Sequence, residues 1–225
     1  MGNNYTVSPS SLNLFLECPR CFWLYLKQKI SRPRPPTSTL PTGMDNLIKR
    51  HFDRYRSLGM LPPELEGKIK AKPVQQALMD KWRNWRIGLS YQEEGVCLRG
   101  GLDECLLEGE IYIPVDYKTR GFPLKENSAS YYQNQLNLYS FLLEKNNFRV
   151  SPFAYLVFYI LQSLSDNGDA KFDIQLIKMN TDTQKAYQVF RQAGNLLRQA
   201  GVPEASMNCE FCAWARNNLH AGRSG

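Results

Sequence analysis

The stretch GGLDECLLEGEIYIPVDYKTR, Gly100 to Arg120, reads as two short apolar strands around Glu108-Gly109-Glu110, with acidic residues and a lysine at the strand ends. Successive side chains alternate across a strand, so Ile111, Ile113 and Val115 share one face while Tyr112, Pro114, Asp116 and Lys118 share the other. A turn centred on Gly109 and Glu110 pairs Glu108 with Ile111. Counting back along that ladder sets Asp103 opposite Asp116 on the same face. Two carboxylates a few ångströms apart repel, and at neutral pH they stay together mainly when a cation sits between them. Oxygen ligands alone favour a hard ion such as Mg²⁺ or Mn²⁺. A lysine two residues past the second acid is placed to orient an attacking water, help it lose a proton, or hold a phosphate oxygen. An isolated D-x-K triplet is better read as a solvated hairpin, but Gly100-x-x-Asp103 before the turn with Val115-Asp116-x-Lys118 after it is more specific.

Around this hairpin the composition sets limits. The chain has 225 residues, 43% of them hydrophobic, which suits one domain with a real core. No apolar run approaches the roughly 20 residues of a membrane helix. The amino terminus MGNNYTVSPS lacks a charged region followed by an apolar one, so a soluble, cytoplasmic protein is expected, with no membrane role. Gly2 with Thr6, a formal acylation signal, and Asn4-Tyr5-Thr6, a formal glycosylation signal, read as chance matches. The net charge of +7 favours a polyanionic partner only weakly on its own, and more firmly beside a candidate metal site.

Ser8 caps a first helix carrying Leu12, Phe15, Leu16, Phe22, Trp23 and Leu26, interrupted near Cys18-Pro19-Arg20-Cys21. Ser31 to Pro41 is a Pro-rich, basic connector. Gly43 to Tyr55 is expected to be helical, with Met44, Leu47, Ile48 and Phe52 at core spacing. Val74 to Ile87 reads as a helix whose Trp82 and Trp85 are assigned to packing. Beyond the hairpin, Thr119 to Pro123 is a loop, and Ser128 to Lys145 a helix with Tyr132, Gln135 and Tyr139 on one face. Phe153 to Leu161 and Lys171 to Met179 form two strands around Asp166-Asn167-Gly168-Asp169, and Thr181 to Ala200 the last long helix.

There are six cysteines. Cys97 and Cys105 read as buried thiols in strands. Cys18-x-x-Cys21 and Cys209-x-x-Cys212 each have the spacing to grip one metal or one edge of a cluster, and disulfides are disfavoured.

Gly100-x-x-Asp103 followed by Val115-Asp116-x-Lys118 resembles the metal-binding hairpin of the PD-(D/E)XK nuclease superfamily, in particular its RecB-like exonucleases, which include CRISPR-associated ones. Ser8 to Phe22, S-x-S-x-L-x-x-F-x-x-C-P-x-x-F, is similar to the opening of RecB-like nucleases that carry an iron–sulfur cluster, and Gln135-x-x-x-Tyr139 resembles the motif after the D-x-K strand. The resemblance implies an α/β, restriction-endonuclease-like core, a mixed β-sheet flanked by helices, with the terminal segments joined by a four-cysteine centre. It is taken as one domain, 1–225, with 90–180 as catalytic core and 1–30 and 201–225 as the cysteine-bound clasp. It further implies that Asp103 and Asp116 hold Mg²⁺ or Mn²⁺, that Lys118 assists the water, and that Gln135 and Tyr139 organise the centre. The implied substrate is DNA, and the implied protein partners are those of repair or CRISPR adaptation.

Two departures stand out. The family commonly places a histidine about four residues after the glycine at Gly43, where this chain has Leu47; His51, one turn on, reads as a histidine at the core edge or near phosphate. Without it the ion rests on Asp103, Asp116, the carbonyl after Asp116, and water. The resemblance also points to a [4Fe–4S] cluster. Relatives place one cysteine early and three late, whereas this chain has two and two, with Asn217 and Asn218 where the last is expected. Cys21 then replaces the missing ligand, and four thiolates also suit a structural Zn²⁺. The competing readings are a non-catalytic DNA-binding or assembly subunit and a zinc-binding adaptor.

Overall fold

The structure, a computed structural model, describes the backbone of residues 4–33, 36 and 38–221, and side chains as far as 218. Gly2, Arg223, the side chain of His220 and connector residues 34, 35 and 37 lie outside the described residues. In chain order the elements are β1 (Tyr5–Val7), α1 (Pro9–Glu17), α2 (Pro19–Gln28), α3 (Leu40–Ser57), β2 (Lys72–Pro73) and α4 (Gln76–Arg83). Four strands follow, β3 (Leu89–Glu93), β4 (Val96–Gly100), β5 (Glu104–Glu108) and β6 (Ile111–Arg120). Then come α5 (Gln133–Lys145), β7 (Phe153–Leu164), β8 (Ala170–Asn180), α6 (Thr183–Arg198) and α7 (Glu210–Ala221). The chain forms two compact units, one of Ser38–Tyr91 and Arg99–Ala186, the other of Met1–Thr37, Gln92–Leu98 and Tyr187–Gly225.

The first of these units holds a five-stranded mixed sheet in the order β2-β5-β6-β7-β8. The hairpin pairs as its sequence requires, with Glu108 opposite Ile111 and the ladder running back to Glu104 opposite Val115. Gly109, with φ of 61°, makes the left-handed turn that a side chain would strain. β6 then runs parallel to β7, the connection being carried by α5, and β7 pairs antiparallel with β8. Both faces of the sheet are covered. Ile48 and Phe52 of α3 pack with Ile113, Val115, Tyr117 and Val157, while Leu136 of α5 packs with Ala154, Leu156 and Phe158. β6 is therefore buried on both sides, which is why an acid on its α5 face is removed from water.

In the other unit, β1 lies parallel to β4, with Tyr5 opposite Val96 and Val7 opposite Leu98. Ser8 and Ser11 form a reciprocal capping box at the start of α1. Cys18 adopts an extended conformation between α1 and α2, and Pro19 opens α2, so the interruption at Cys18-Pro19 is a full break.

Several expectations need correction. α3 starts at Leu40, since Pro41 fits the first turn of a helix, and Leu47 is exposed rather than in the core. α4 ends at Arg83, leaving Trp85 49% and Ile87 64% exposed, so of Trp82 and Trp85 it is Trp82 that packs in the core. β6 continues to Arg120 because β7 supplies partners as far as Ile160. A 3-10 turn, Ser130–Tyr132, precedes α5. Cys97 is half-buried, unlike Cys105. The segment after Trp214 continues as helix to Ala221.

Candidate active site

Asp116 lies on β6 with its side chain fully buried, facing α5. Its Oδ1 accepts a hydrogen bond from Gln135 Nε2 at 3.1 Å, and the same Gln135 nitrogen donates to Tyr139 Oη at 2.7 Å. The four-residue spacing of Gln135 and Tyr139 places both on the helix face turned to the hairpin. Lys118 Nζ approaches Asp116 Oδ2 to 2.6 Å. That approach lies off the hydrogen-bonding direction, so Oδ2 remains a buried oxygen with no aligned donor. Lys118 also sits over the Tyr132 ring, 4.8 Å from its centroid, which limits where the ammonium can turn.

Asp103 stands one residue before β5, where the ladder continued beyond Glu104 and Val115 meets Asp116. Its carbonyl accepts hydrogen bonds from Tyr117 Oη at 2.9 Å and Arg83 Nε at 3.1 Å, which hold the residue in place from behind. Arg83 is itself fixed by both carboxylate oxygens of Asp53, at 2.7 and 2.8 Å. Glu104 points to the opposite face, as strand alternation requires, and forms a buried ion pair with Arg56. Arg56 also donates to the Val74 carbonyl at 2.6 Å.

Burial pushes the Asp116 carboxyl up to about 7; Lys118 opposes the shift and the neighbouring Asp103 adds to it. Burial together with the two aspartates also pushes the Tyr139 phenol up, so Tyr139 stays neutral.

Two residues of this site have no counterpart in the hairpin motif. Lys49 of α3 places its Nζ 3.0 Å from Asp103 Oδ1 and 2.7 Å from Asp45 Oδ2. The carboxylate of Asp103 raises the Lys49 ammonium above its ordinary value against the effect of burial. The available signal was the Asp45-x-x-x-Lys49 spacing, an ordinary helical ion-pair pattern with nothing to mark it as part of a site. His51 turns instead to Glu64, with Nε2 3.0 and 3.1 Å from its carboxylate oxygens, and Tyr159 Oη donates to Glu64 at 2.6 Å.

The pair Asp103 and Asp116 fits a divalent cation on chemical grounds: two adjacent carboxylates, one fully buried, with an oxygen left without an aligned donor. The expected set Asp103, Asp116, Lys118, Gln135 and Tyr139 is thus brought together, and Asp45 and Lys49 are added to it.

The other expected cluster is also assembled. Cys18 Sγ lies 3.9 Å from Cys212 Sγ, Cys21 Sγ 3.6 Å from Cys209 Sγ and 3.5 Å from Cys212 Sγ. All four sulfurs are within 4.8 Å of one another, a donor set that suits a metal. Against burial, backbone contacts at Cys21 and Ser206 and neighbouring thiols hold the Cys18 thiol down to about 6.

A mixed sheet flanked by helices, with paired acids and a lysine on its central hairpin, defines a restriction-endonuclease-like nuclease fold. The profile of the PD-(D/E)XK nuclease superfamily matches residues 6–216, and the chain belongs to that superfamily. Among solved structures, SSO0001 is similar at 14% identity and a TM-score of 0.47, over 96% of this chain and 87% of that one. A search of curated proteins finds no match. Among the described residues no helix is long and apolar enough to cross a membrane.

Proposed function

We propose that this protein is a RecB-like DNA nuclease of exonuclease type, working with Mg²⁺ or Mn²⁺ in the cytoplasm. The observation that supports it best is the state of Asp116: fully buried, beside a second carboxylate, and with one oxygen lacking an aligned donor. A binding surface for a polyanion has no use for that arrangement, since both acids repel phosphate.

Asp103 and Asp116 would hold the ion, which when bound supplies Lewis-acid activation of the scissile phosphodiester. Gln135 keeps Asp116 Oδ1 in a fixed rotamer, and Tyr139, through Gln135, limits the play of that contact. Lys118, held between Asp116 and the Tyr132 ring, orients the attacking water and stabilises the negative charge that builds on the phosphate oxygens. Arg83 and Tyr117 position Asp103 through its carbonyl. The test is cleavage of end-labelled single- and double-stranded DNA with Mn²⁺ or Mg²⁺, beside Asp116→Ala and Lys118→Ala. Metal-dependent cutting is expected in the intact protein, with losses on the order of 100-fold or more in each variant.

Two observations favour a second reading, a non-catalytic DNA-binding subunit. Leu47 replaces a usual ligand and Lys49 already pairs with Asp103. Salt-sensitive DNA binding without cutting would mark that outcome.

A further inference from the structure

The four cysteines sit in two equivalent frames. Cys18 immediately precedes α2 and Cys21 lies in its first turn; Cys209 immediately precedes α7 and Cys212 lies in its first turn. The Cys18 carbonyl accepts from the Phe22 amide at 3.1 Å and the Cys209 carbonyl from the Ala213 amide at 3.0 Å, so each C-x-x-C begins a helix in the same way. Helix N-termini carry partial positive charge and favour thiolates over thiols.

The distances distinguish between the two centres that four thiolates can hold. A single tetrahedral ion with metal–sulfur bonds near 2.3 Å sets its sulfurs about 3.8 Å apart. A cubane cluster gives each thiolate its own iron, at a separate corner, which spreads the four sulfurs to roughly 6 Å. The sulfurs here are 3.5, 3.6 and 3.9 Å apart in three of their pairs, and none of the pairs exceeds 4.8 Å. Widening every pair would require several cysteines to leave these rotamers, yet Cys18, Cys21 and Cys209 are buried and packed with Leu14 and Ala205.

A second feature serves a compact, negatively charged centre. Arg32 directs Nη2 at the Cys209 sulfur, 3.7 Å away. Its other arm is fixed by Glu17 at 2.5 Å, and its guanidinium stacks over Phe211, 4.6 Å from the ring centroid. Four thiolates around one divalent cation leave two negative charges, and Arg32 offsets part of them.

We infer that Cys18, Cys21, Cys209 and Cys212 bind one tetrahedral Zn²⁺ ion, with Arg32 as its outer partner, in place of the four-iron cluster that the resemblance implies. The inference stands apart from the nuclease reading, because its test is a metal count and does not use DNA.

The experiment is elemental analysis and acid-labile sulfide assay of the full chain, purified without oxygen from cells grown in iron-rich medium. One zinc per chain, no labile sulfide and no visible charge-transfer band are expected. Cys21→Ser should lose the zinc, and Arg32→Met should keep one zinc but surrender it several-fold more readily to a competing chelator. Should Cys21→Ser fail to fold, the count on the unaltered chain still decides. About four irons with matching sulfide, or a chain free of metal, overturns the inference.

Discussion

Lys49 Nζ lies 3.0 Å from Asp103 Oδ1, so α3 supplies a cation directly beside one of the two acids of the hairpin. The contact makes Lys49 a competitor for the charge that a divalent ion would neutralise. Lys49→Met is therefore expected to tighten Mn²⁺ binding roughly threefold to tenfold, a modest factor because the lysine is partly exposed and screened. Calorimetric titration of the two proteins checks this. Unchanged or weaker binding would show that Lys49 does not oppose the ion.

The buried Asp116 carboxyl gives a pH dependence with a definite sign. Its folded value, about 7, lies above the ordinary 3.8. The folded state therefore binds the proton more tightly than the unfolded chain does. The group's stability contribution is complete below the ordinary value and is lost as pH rises through about 7. In chelator, the melting temperature should fall across that interval, and Asp116→Asn should flatten the fall. Added Mn²⁺ should raise the melting temperature more at pH above 7 than below, since protonation and the cation compete for the same oxygens.

Gln135 joins Asp116 to Tyr139 through one nitrogen. Gln135→Ala leaves a buried carboxylate short of a donor and should cost about 1–3 kcal/mol, measured by urea unfolding. Tyr139→Phe keeps the Asp116 contact and should cost about 0.5–1.5 kcal/mol. The double variant should fall short of the sum, because the two contacts share Gln135.

Behind the hairpin, Arg56 and Glu104 form a fully buried ion pair that Arg83 also touches. Arg56→Met strands Glu104 and is expected to cost about 3–5 kcal/mol, read from the unfolding midpoint. A loss below about 1 kcal/mol would mean that Arg83 alone compensates Glu104.

The parts of this site that were legible in the sequence are those set by local rules. Strand alternation and the Gly109 turn place Asp103, Asp116 and Lys118 together, and helical spacing pairs Gln135 with Tyr139. Lys49 and Asp45 escaped because their role depends on where α3 crosses the sheet, a tertiary fact that a surface-like ion-pair pattern does not announce. β1 escaped for a similar reason: three residues become a strand only because β4 lies beside them. Trp85 lies outside the core because the backbone leaves the helix at Asn84, one residue past Arg83, where helical spacing no longer applies.

Stability and activity meet at the Asp116 carboxylate. Asp116→Asn removes a buried charge while keeping size and the capacity to hydrogen-bond. Cutting of end-labelled DNA in saturating Mn²⁺ at pH 8 should fall on the order of 100-fold or more, while the chelated variant melts above the unaltered protein. An Asp116→Asn protein that cuts at the original rate would contradict the assignment of the hairpin as the metal-dependent centre.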